Sequence, residues 1–169
     1  VAVLRRQFPR GTKVGHTGTL DPLATGLLVV LVGVCTRLQA RLQGFDKVYS
    51  GAIRLGVKTD TGDITGKTLT QSPLPPLSLE RLSEELHALE GTIETPAPAY
   101  SAVKHKGKAL YEYARAGEEI EVPSREVTIK EFAIESSSTA DLRFRVRCSG
   151  GTYVRALAAD LAMSAGRLG

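Results

Sequence analysis

Apolar and polar residues alternate along residues 47–57, and this two-residue period predicts a β-strand. A second alternation over residues 142–149 predicts another strand, and a third is expected near residues 126–134. Residues 27–32 are instead continuously apolar, which is typical of a strand covered on both faces. The first strand is expected to carry Tyr49, Gly51, Ile53, Leu55 and Val57 on one face and Ser50, Ala52 and Arg54 on the other.

The clearest helical pattern spans residues 78–89, where Ser78 can cap the start and Gly91 follows the end. Further helices are predicted at residues 36–42, 108–116 and 152–165. Because helices and strands are mixed without a regular βαβ rhythm, we predict an α+β fold with a mainly antiparallel mixed sheet flanked by helices and loops. The helices over residues 78–89 and 152–165 are each expected to bury one apolar stripe. The inward residues are Leu79, Leu82, Leu86, Leu89, Val154, Leu157, Leu161 and Ala165.

Composition excludes several classes of protein. The 169 residues are 42% hydrophobic, enough for one domain with a core, and no apolar run approaches the roughly 18 residues of a membrane span. Cys35 and Cys148 stand alone, and the three histidines show no ligand spacing, so we expect neither a metal nor another cofactor. Isolated cysteines fit a reducing, cytoplasmic setting. The net charge of +4 favours a polyanionic partner without establishing one.

The most informative segment is a glycine-punctuated loop that contains Asp21 followed by Pro22. Proline restricts the residue before it to extended conformations, so the backbone at Asp21 is fixed and its carboxylate is suited to chemistry. The alternative is structural, since Asp followed by Pro is also a common helix start. The residues alone leave both interpretations open.

The loop sequence GHTGTLDPLATGLL, residues 15–28, resembles the signature loop of the TruB family of tRNA pseudouridine synthases. Three further segments resemble that family in the same order: residues 46–63, residues 98–115, and residues 148–155 with their arginine motif. The resemblance covers most of the chain. Guide-RNA-dependent relatives share GTLDP, whereas the residues on either side look more like the bacterial stand-alone enzymes.

This resemblance implies the pseudouridine synthase fold and isomerisation of a uridine, at position fifty-five in the TΨC loop of tRNA. Asp21 would start cleavage of the glycosidic bond, Arg155 would pair with Asp21, and Tyr49 would stack on the extruded base. His16 would lie against the RNA loop. The other residues expected to contact substrate on this basis are Gly18, Thr19, Leu20, Pro22 and Tyr153.

The resemblance also bears on partners and on the extent of the chain. We expect tRNA as the partner, with no membrane, no required protein partner and a monomeric state. Residues 1–169 are expected to be a catalytic domain incomplete at both ends, without the family's C-terminal PUA domain.

Basic residues suggest an RNA-facing surface. Arg143, Arg145 and Arg147, here called the arginine row, alternate with the apolar residues of their strand. An ordinary solvated sheet face would look the same, so both interpretations stay open. Lys104 belongs to a second basic cluster, over residues 104–108, that is equally ambiguous.

Other interpretations remain at this stage. Without the resemblance, Arg155 would be read as a solvated helix residue and Tyr49 as a half-buried strand residue. Residues 59–66 predict a turn, and their partial likeness to a phosphate loop or to an aspartic-protease triplet lacks the required context. Two other functions compete: a guide-RNA-dependent synthase, and an RNA-binding module without catalysis.

Overall fold

The structure is a computed structural model that describes residues 1–73, 79–101, 103–118, 120–138 and 140–164. The chain forms two compact units, Val1–Phe45 and Asp46–Gly169.

The smaller unit is built on a two-stranded antiparallel ribbon. Its elements in chain order are α1 (Ala2–Arg5), β1 (Val14–His16), β2 (Val30–Val32), a 3-10 helix (Gly33–Leu38) and α2 (Gln39–Gln43). The last two confirm the short helix predicted before Gly44.

The strand predicted over residues 27–32 is wrong in its first half. Only its last three residues form β2, and Leu27 is 88% exposed. Leu31 is the residue of β2 that is buried. A continuously apolar run predicts a strand that is buried on both faces. A short two-stranded ribbon can bury only one of its faces, so part of the run stays exposed.

The larger unit contains the main sheet. Its elements in chain order are β3 (Lys47–Arg54), β4 (Val57–Thr59), β5 (Thr68–Gln71), α3 (Leu79–Leu89), β6 (Gly91–Pro96), β7 (Lys104–His105), β8 (Lys108–Ala109), α4 (Leu110–Ala116), β9 (Ser124–Ser137), β10 (Asp141–Cys148) and α5 (Val154–Ser164). Four strands pair in the order β3-β10-β9-β6, and every pair is antiparallel. The predicted α+β class and antiparallel sheet are confirmed.

One face of this sheet carries the core. Tyr49, Gly51 and Ile53 of β3 lie opposite Val146, Phe144 and Leu142 of β10, so the predicted alternation is confirmed. Burying a leucine-sized side chain contributes about 1.5–3 kcal/mol, so these contacts fix which face is inward. The helices cover this face with Leu82 and Leu86 of α3 and Leu157 and Leu161 of α5, all buried in one cluster.

The strand predicted over residues 47–57 is interrupted. β3 ends at Arg54, the chain turns, and β4 begins at Val57. Gly56 has a φ of 77°, a left-handed conformation that glycine adopts without strain. β4 and β5 then form a hairpin whose loop, residues 60–67, is the predicted turn.

Three longer helix predictions are confirmed within the described residues, by α3, α4 and α5. α3 ends at Leu89, and α4 ends at Gly117, whose φ of 70° terminates the helix. Ser78, the connector at residues 74–77 and Ala165 lie outside the described residues, as does the side chain of Leu79.

Candidate active site

Asp21 lies in a turn of the smaller unit, between β1 and β2. Its carbonyl oxygen accepts a hydrogen bond from the backbone N–H of Ala24 at 2.9 Å. The chain turns at Pro22, and the next helical segment begins only at Gly33, so the interpretation of Asp21 as a helix cap is wrong. The half-buried Asp21 therefore sits on a loop fixed by its own backbone.

The loop before Asp21 is held by local contacts. Nδ1 of His16 hydrogen-bonds the carbonyl oxygen of Gly18, and the N–H of Thr17 donates to the carbonyl oxygen of Val29 at 3.1 Å. Thr17 is buried, and His16 is half-buried. Among the other predicted substrate contacts, Gly18 and Leu20 are half-buried, whereas Thr19 and Pro22 are exposed.

In the larger unit, Arg155 is held by backbone oxygens at the start of α5. Its Nη1 donates to the carbonyl of Thr61 at 2.7 Å, and its Nη2 donates to the carbonyl of Tyr100 at 3.0 Å. The side chain is only 16% exposed. The interpretation of Arg155 as a solvated helix residue is therefore wrong, because two loops fix the plane of its guanidinium.

Asp63 joins Arg155 from the β4–β5 loop, and sequence reasoning gave it no role. Its Oδ2 lies 3.9 Å from Nη1 of Arg155. Its Oδ1 accepts hydrogen bonds from the Thr61 hydroxyl at 3.0 Å, the Thr65 N–H at 2.8 Å and the Thr65 hydroxyl at 2.6 Å. The loop sequence offers two acids, Asp60 and Asp63, and only the fold shows which one faces Arg155.

The environment of Asp63 favours its ionised form. Burial alone would raise the pKa of this carboxyl group. The hydrogen bonds from Thr65 and Thr61, together with the charge of Arg155, outweigh burial and lower the pKa below its ordinary value. The Asp63 carboxylate therefore stays ionised to a lower pH than an ordinary aspartate.

Tyr49 lies on the core face of the sheet, half-buried against the hydrophobic cluster. Tyr153 stands in the turn before α5, and its carbonyl accepts the N–H of Leu157 at 3.1 Å. The guanidinium carbon of Arg125 lies 5.3 Å from the centre of the Tyr153 ring. Tyr49, Tyr153 and Arg155 thus belong to the larger unit, and Asp21 to the smaller unit.

The arginine row lies on the opposite face of the sheet from Tyr49. Directly opposed residues share a face, and Arg145 opposes Ser50, whereas Tyr49 opposes Val146. The arginine row and Tyr49 therefore lie on different faces of the sheet, because neighbouring residues of a strand point to opposite sides.

Two members of the arginine row are paired with acids. Arg145 contacts Glu131 at 2.9 Å, and Arg147 contacts Asp46 at 3.3 Å. Asp46 also binds Lys130 at 2.8 Å, and this hydrogen bond leads the effects that lower the pKa of the Asp46 carboxyl group. These ion pairs are compatible both with an RNA-facing surface and with an ordinary solvated sheet face.

In the basic cluster around Lys104, Lys108 also has partners within the protein. Lys108 pairs with Glu118 at 3.2 Å and lies 4.4 Å above the centre of the Tyr113 ring. The Tyr113 hydroxyl in turn donates to the carbonyl of His105 at 3.1 Å. Lys104 is exposed on β7.

Over the described ranges, histidine, cysteine and acidic side chains form no group of three that could hold a metal ion. Within those same ranges, no helix is long and apolar enough to cross a membrane.

Comparison with solved structures defines the fold class. A chain of a Cbf5–Nop10–Gar1 complex superposes with a TM-score of 0.64 and 23% identity, over 92% of this chain and 37% of that one. A chain of an H/ACA RNP bound to a substrate RNA containing 2'-deoxyuridine gives a TM-score of 0.59 and 21% identity, over 91% and 34%. The fold is that of the pseudouridine synthase Cbf5.

Sequence comparison then gives the family. Residues 5–154 match the TruB family pseudouridylate synthase (N terminal domain), and the chain belongs to this family. It is 47% identical over 156 residues to tRNA pseudouridine synthase B of Aromatoleum aromaticum, covering 92% of this chain and 50% of the relative. It is 46% identical over 161 residues to the enzyme of the same name from Xanthomonas campestris, covering 95% and 52%. The chain spans about half the length of these curated relatives.

Proposed function

We propose that this chain carries the catalytic residues of a tRNA pseudouridine synthase that isomerises uridine to pseudouridine at position fifty-five of the TΨC loop. The observation that carries the proposal is the family match over residues 5–154, together with relatives at 46–47% identity that are named tRNA pseudouridine synthase B. We expect action on tRNA in the cytoplasm, by a monomer without a cofactor or protein partner.

In the proposed reaction the carboxylate of Asp21 attacks C1' of the target nucleotide. The new C1'–O bond forms as the glycosidic N1–C1' bond breaks, and uracil leaves with the electron pair. The uracil then turns so that C5 attacks C1' and the carboxylate leaves. The proton on C5 is lost to solvent, and N1 takes up a proton from solvent. Atoms and electrons balance, because the product is an isomer of the substrate.

The other residues would serve this step by position and charge. Arg155 would keep Asp21 ionised and aimed, a task that suits a guanidinium already fixed by two carbonyls. Tyr49 would stack on the extruded base, whose removal from the helix costs a few kcal/mol. His16, Gly18, Thr19, Leu20, Pro22, Tyr153 and Lys104 are proposed as further RNA contacts, and the arginine row only as a source of long-range attraction.

The test is release of tritium from 5-labelled uridine in a TΨC-arm stem-loop, with the full-length protein and its Asp21→Asn variant. Release by the wild type and none by a folded variant would support the reaction and the role of Asp21 together. A folded wild type that releases tritium only with guide RNA and accessory proteins would favour the guide-dependent alternative. Binding without release under either condition would leave an RNA-binding module.

A further inference from the structure

The residue that extends the candidate site is Arg125, which sequence reasoning did not single out. On β9, Arg125 opposes Thr95 of β6, two positions before the Val127–Ile93 pair of the core. Residues two apart on a strand share a face, so Arg125 points to the same side of the sheet as Val127. This is the side that carries Tyr49, unlike the arginine row.

Arg125 is held in place by an aromatic ring. Its guanidinium carbon lies 5.3 Å from the centre of the Tyr153 ring, within the range of a cation–π contact. Tyr153 stands two residues before Arg155, in a turn that is itself fixed. The Thr152 hydroxyl donates to the carbonyl of Ser149 at 3.0 Å, and the N–H of Ser149 donates to the carbonyl of Thr128 at 2.9 Å.

Gly151 makes room for this arrangement. Its φ is 94°, a left-handed conformation that favours glycine. A Cβ at this position would lie 2.9 Å from Nη1 of Arg125 and 3.5 Å from its Cδ. Any larger residue would therefore strain the turn and displace the guanidinium.

Arg125 carries a positive charge at the protein surface. Among the described residues, no carboxylate lies within salt-bridge distance of its guanidinium, and the residue is exposed. Its neighbour Glu126 opposes Glu94 on the other face of the sheet. A guanidinium held over a ring by a cation–π contact still has N–H donors to offer, and its planar fork matches the oxygens of a phosphate group.

We propose that Arg125, held by its cation–π contact with Tyr153, binds a backbone phosphate of the RNA on the Tyr49 side of the sheet. This inference rests on the proposed function, because it takes RNA as the ligand. An arginine already held by a ring loses less side-chain freedom on binding than a free lysine would. The contact therefore adds affinity and also helps to position the RNA on the protein. The arginine row, by contrast, already has acids as partners at Arg145 and Arg147.

The experiment measures the Kd of the full-length protein for the TΨC-arm stem-loop across a series of salt concentrations. Arg125→Gln removes the charge, and we expect Kd to rise roughly tenfold with a salt slope shallower by roughly one. Arg125→Lys keeps the charge and should restore the slope but only part of the affinity. Gly151→Ala should resemble Arg125→Gln in Kd while retaining the net charge.

Arg54→Gln is the matched control, because it removes the same charge from the opposite face of the sheet. Arg54 is exposed and pairs with Asp141 at 2.5 Å. We expect its Kd to stay within about twofold of the wild type and its slope to be unchanged. Equal losses in Arg54→Gln and Arg125→Gln would overturn the proposal, since the effect would then be one of net charge.

A purely structural role of Arg125 predicts a different result. In that case Arg125→Gln would lower the free energy of unfolding and leave the salt slope unchanged, which would also overturn the proposal. Tritium release by the wild type is measured in a separate assay, because it tests the reaction and not the phosphate contact. If Arg125→Gln changes the salt slope as expected but the wild type releases no tritium, the proposed reaction is wrong and the phosphate contact is still supported.

Discussion

The Arg155 guanidinium and the Asp63 carboxylate are held near each other mainly by their neighbours. Their closest atoms are 3.9 Å apart, whereas the guanidinium lies 2.7 and 3.0 Å from two carbonyl oxygens. The carboxylate likewise has three closer donors in its own loop. The pair therefore ties the β4–β5 loop and the loop at Tyr100 to the start of α5.

Replacing Arg155 by lysine should separate charge from geometry. A lysine ammonium is a point charge on a flexible stem, so it cannot keep the planar fork that spans the Thr61 and Tyr100 carbonyls. We expect kcat for pseudouridine formation to fall roughly tenfold to hundredfold. Steady-state tritium release at saturating RNA measures this kcat, with urea unfolding as the check on folding. An unchanged kcat would contradict a positioning role for the guanidinium.

The Asp63→Asn variant should be less stable at neutral pH. The substitution replaces one carboxylate oxygen of Asp63 by an NH2 group, which cannot accept hydrogen bonds. It also removes the negative charge beside Arg155. We expect the free energy of unfolding to fall by about 1–3 kcal/mol. Urea unfolding of both proteins at pH 7 measures this, with Asp60→Asn as the comparison in the same loop.

The loss in Asp63→Asn should also depend on pH in a defined direction. The pKa of Asp63 is lowered in the folded state, so its contribution is complete above the ordinary value of 3.8 and disappears as pH falls through the folded pKa. The difference between wild type and variant should be constant near neutrality and shrink below about pH 4. A difference that grew on acidification would show that Asp63 is not held ionised.

Asp160 on α5 should behave in the opposite sense. Burial raises the pKa of its carboxyl group, so the folded state disfavours the charge at neutral pH. Asp160→Asn should therefore raise the free energy of unfolding at pH 7, and this gain should vanish as pH falls below the ordinary value of 3.8. Urea unfolding at neutral and acidic pH tests this, and a gain that persists unchanged in acid would argue against relief of a buried charge.

Gly51→Ala should crowd the core face of the sheet. A Cβ at Gly51 would lie 3.1 Å from two atoms of the Phe144 ring, which packs edge-to-face on Phe132. Because that ring has little room to move, we expect a loss of about 1–2 kcal/mol in the free energy of unfolding. Thermal and urea unfolding measure it.

Gly44→Ala is the control for that experiment. Its φ is −75°, and its nearest Cβ contact would be an ordinary 3.6 Å, so stability should change by less than about 0.5 kcal/mol. Equal effects at the two glycines would show that the close approach to Phe144 does not matter.

The sequence predicted the main sheet well, because two-residue periodicity reports burial directly. Tyr49, Gly51 and Ile53 were placed on the core face, and the register with β10 bears this out. The same reasoning failed at residues 27–29, where an apolar run carried no period and Leu27 proved exposed. It also missed the turn at Gly56, since an isolated glycine in a strand pattern indicates a bulge as readily as an end.

Residues of the candidate site could be predicted from the sequence only where a family motif assigns them a role. Asp21, Tyr49 and Arg155 came from the family resemblance, and their roles stay predictions. Asp63 and Arg125 gave no such signal, because each acquires its importance from a partner far along the chain: Arg155 in one case and Tyr153 in the other. Contacts between distant residues depend on the fold, and no local spacing reports them.

The two-sided sheet of the larger unit has a practical consequence for single-molecule work. Ala52 is exposed on the face that carries the arginine row, away from Tyr49. The cysteines are free, with Cys148 buried and Cys35 exposed. In a Cys35→Ser background, an Ala52→Cys protein would offer one reactive thiol for tethering to a glass surface, and the Tyr49 side of the sheet would face away from the glass.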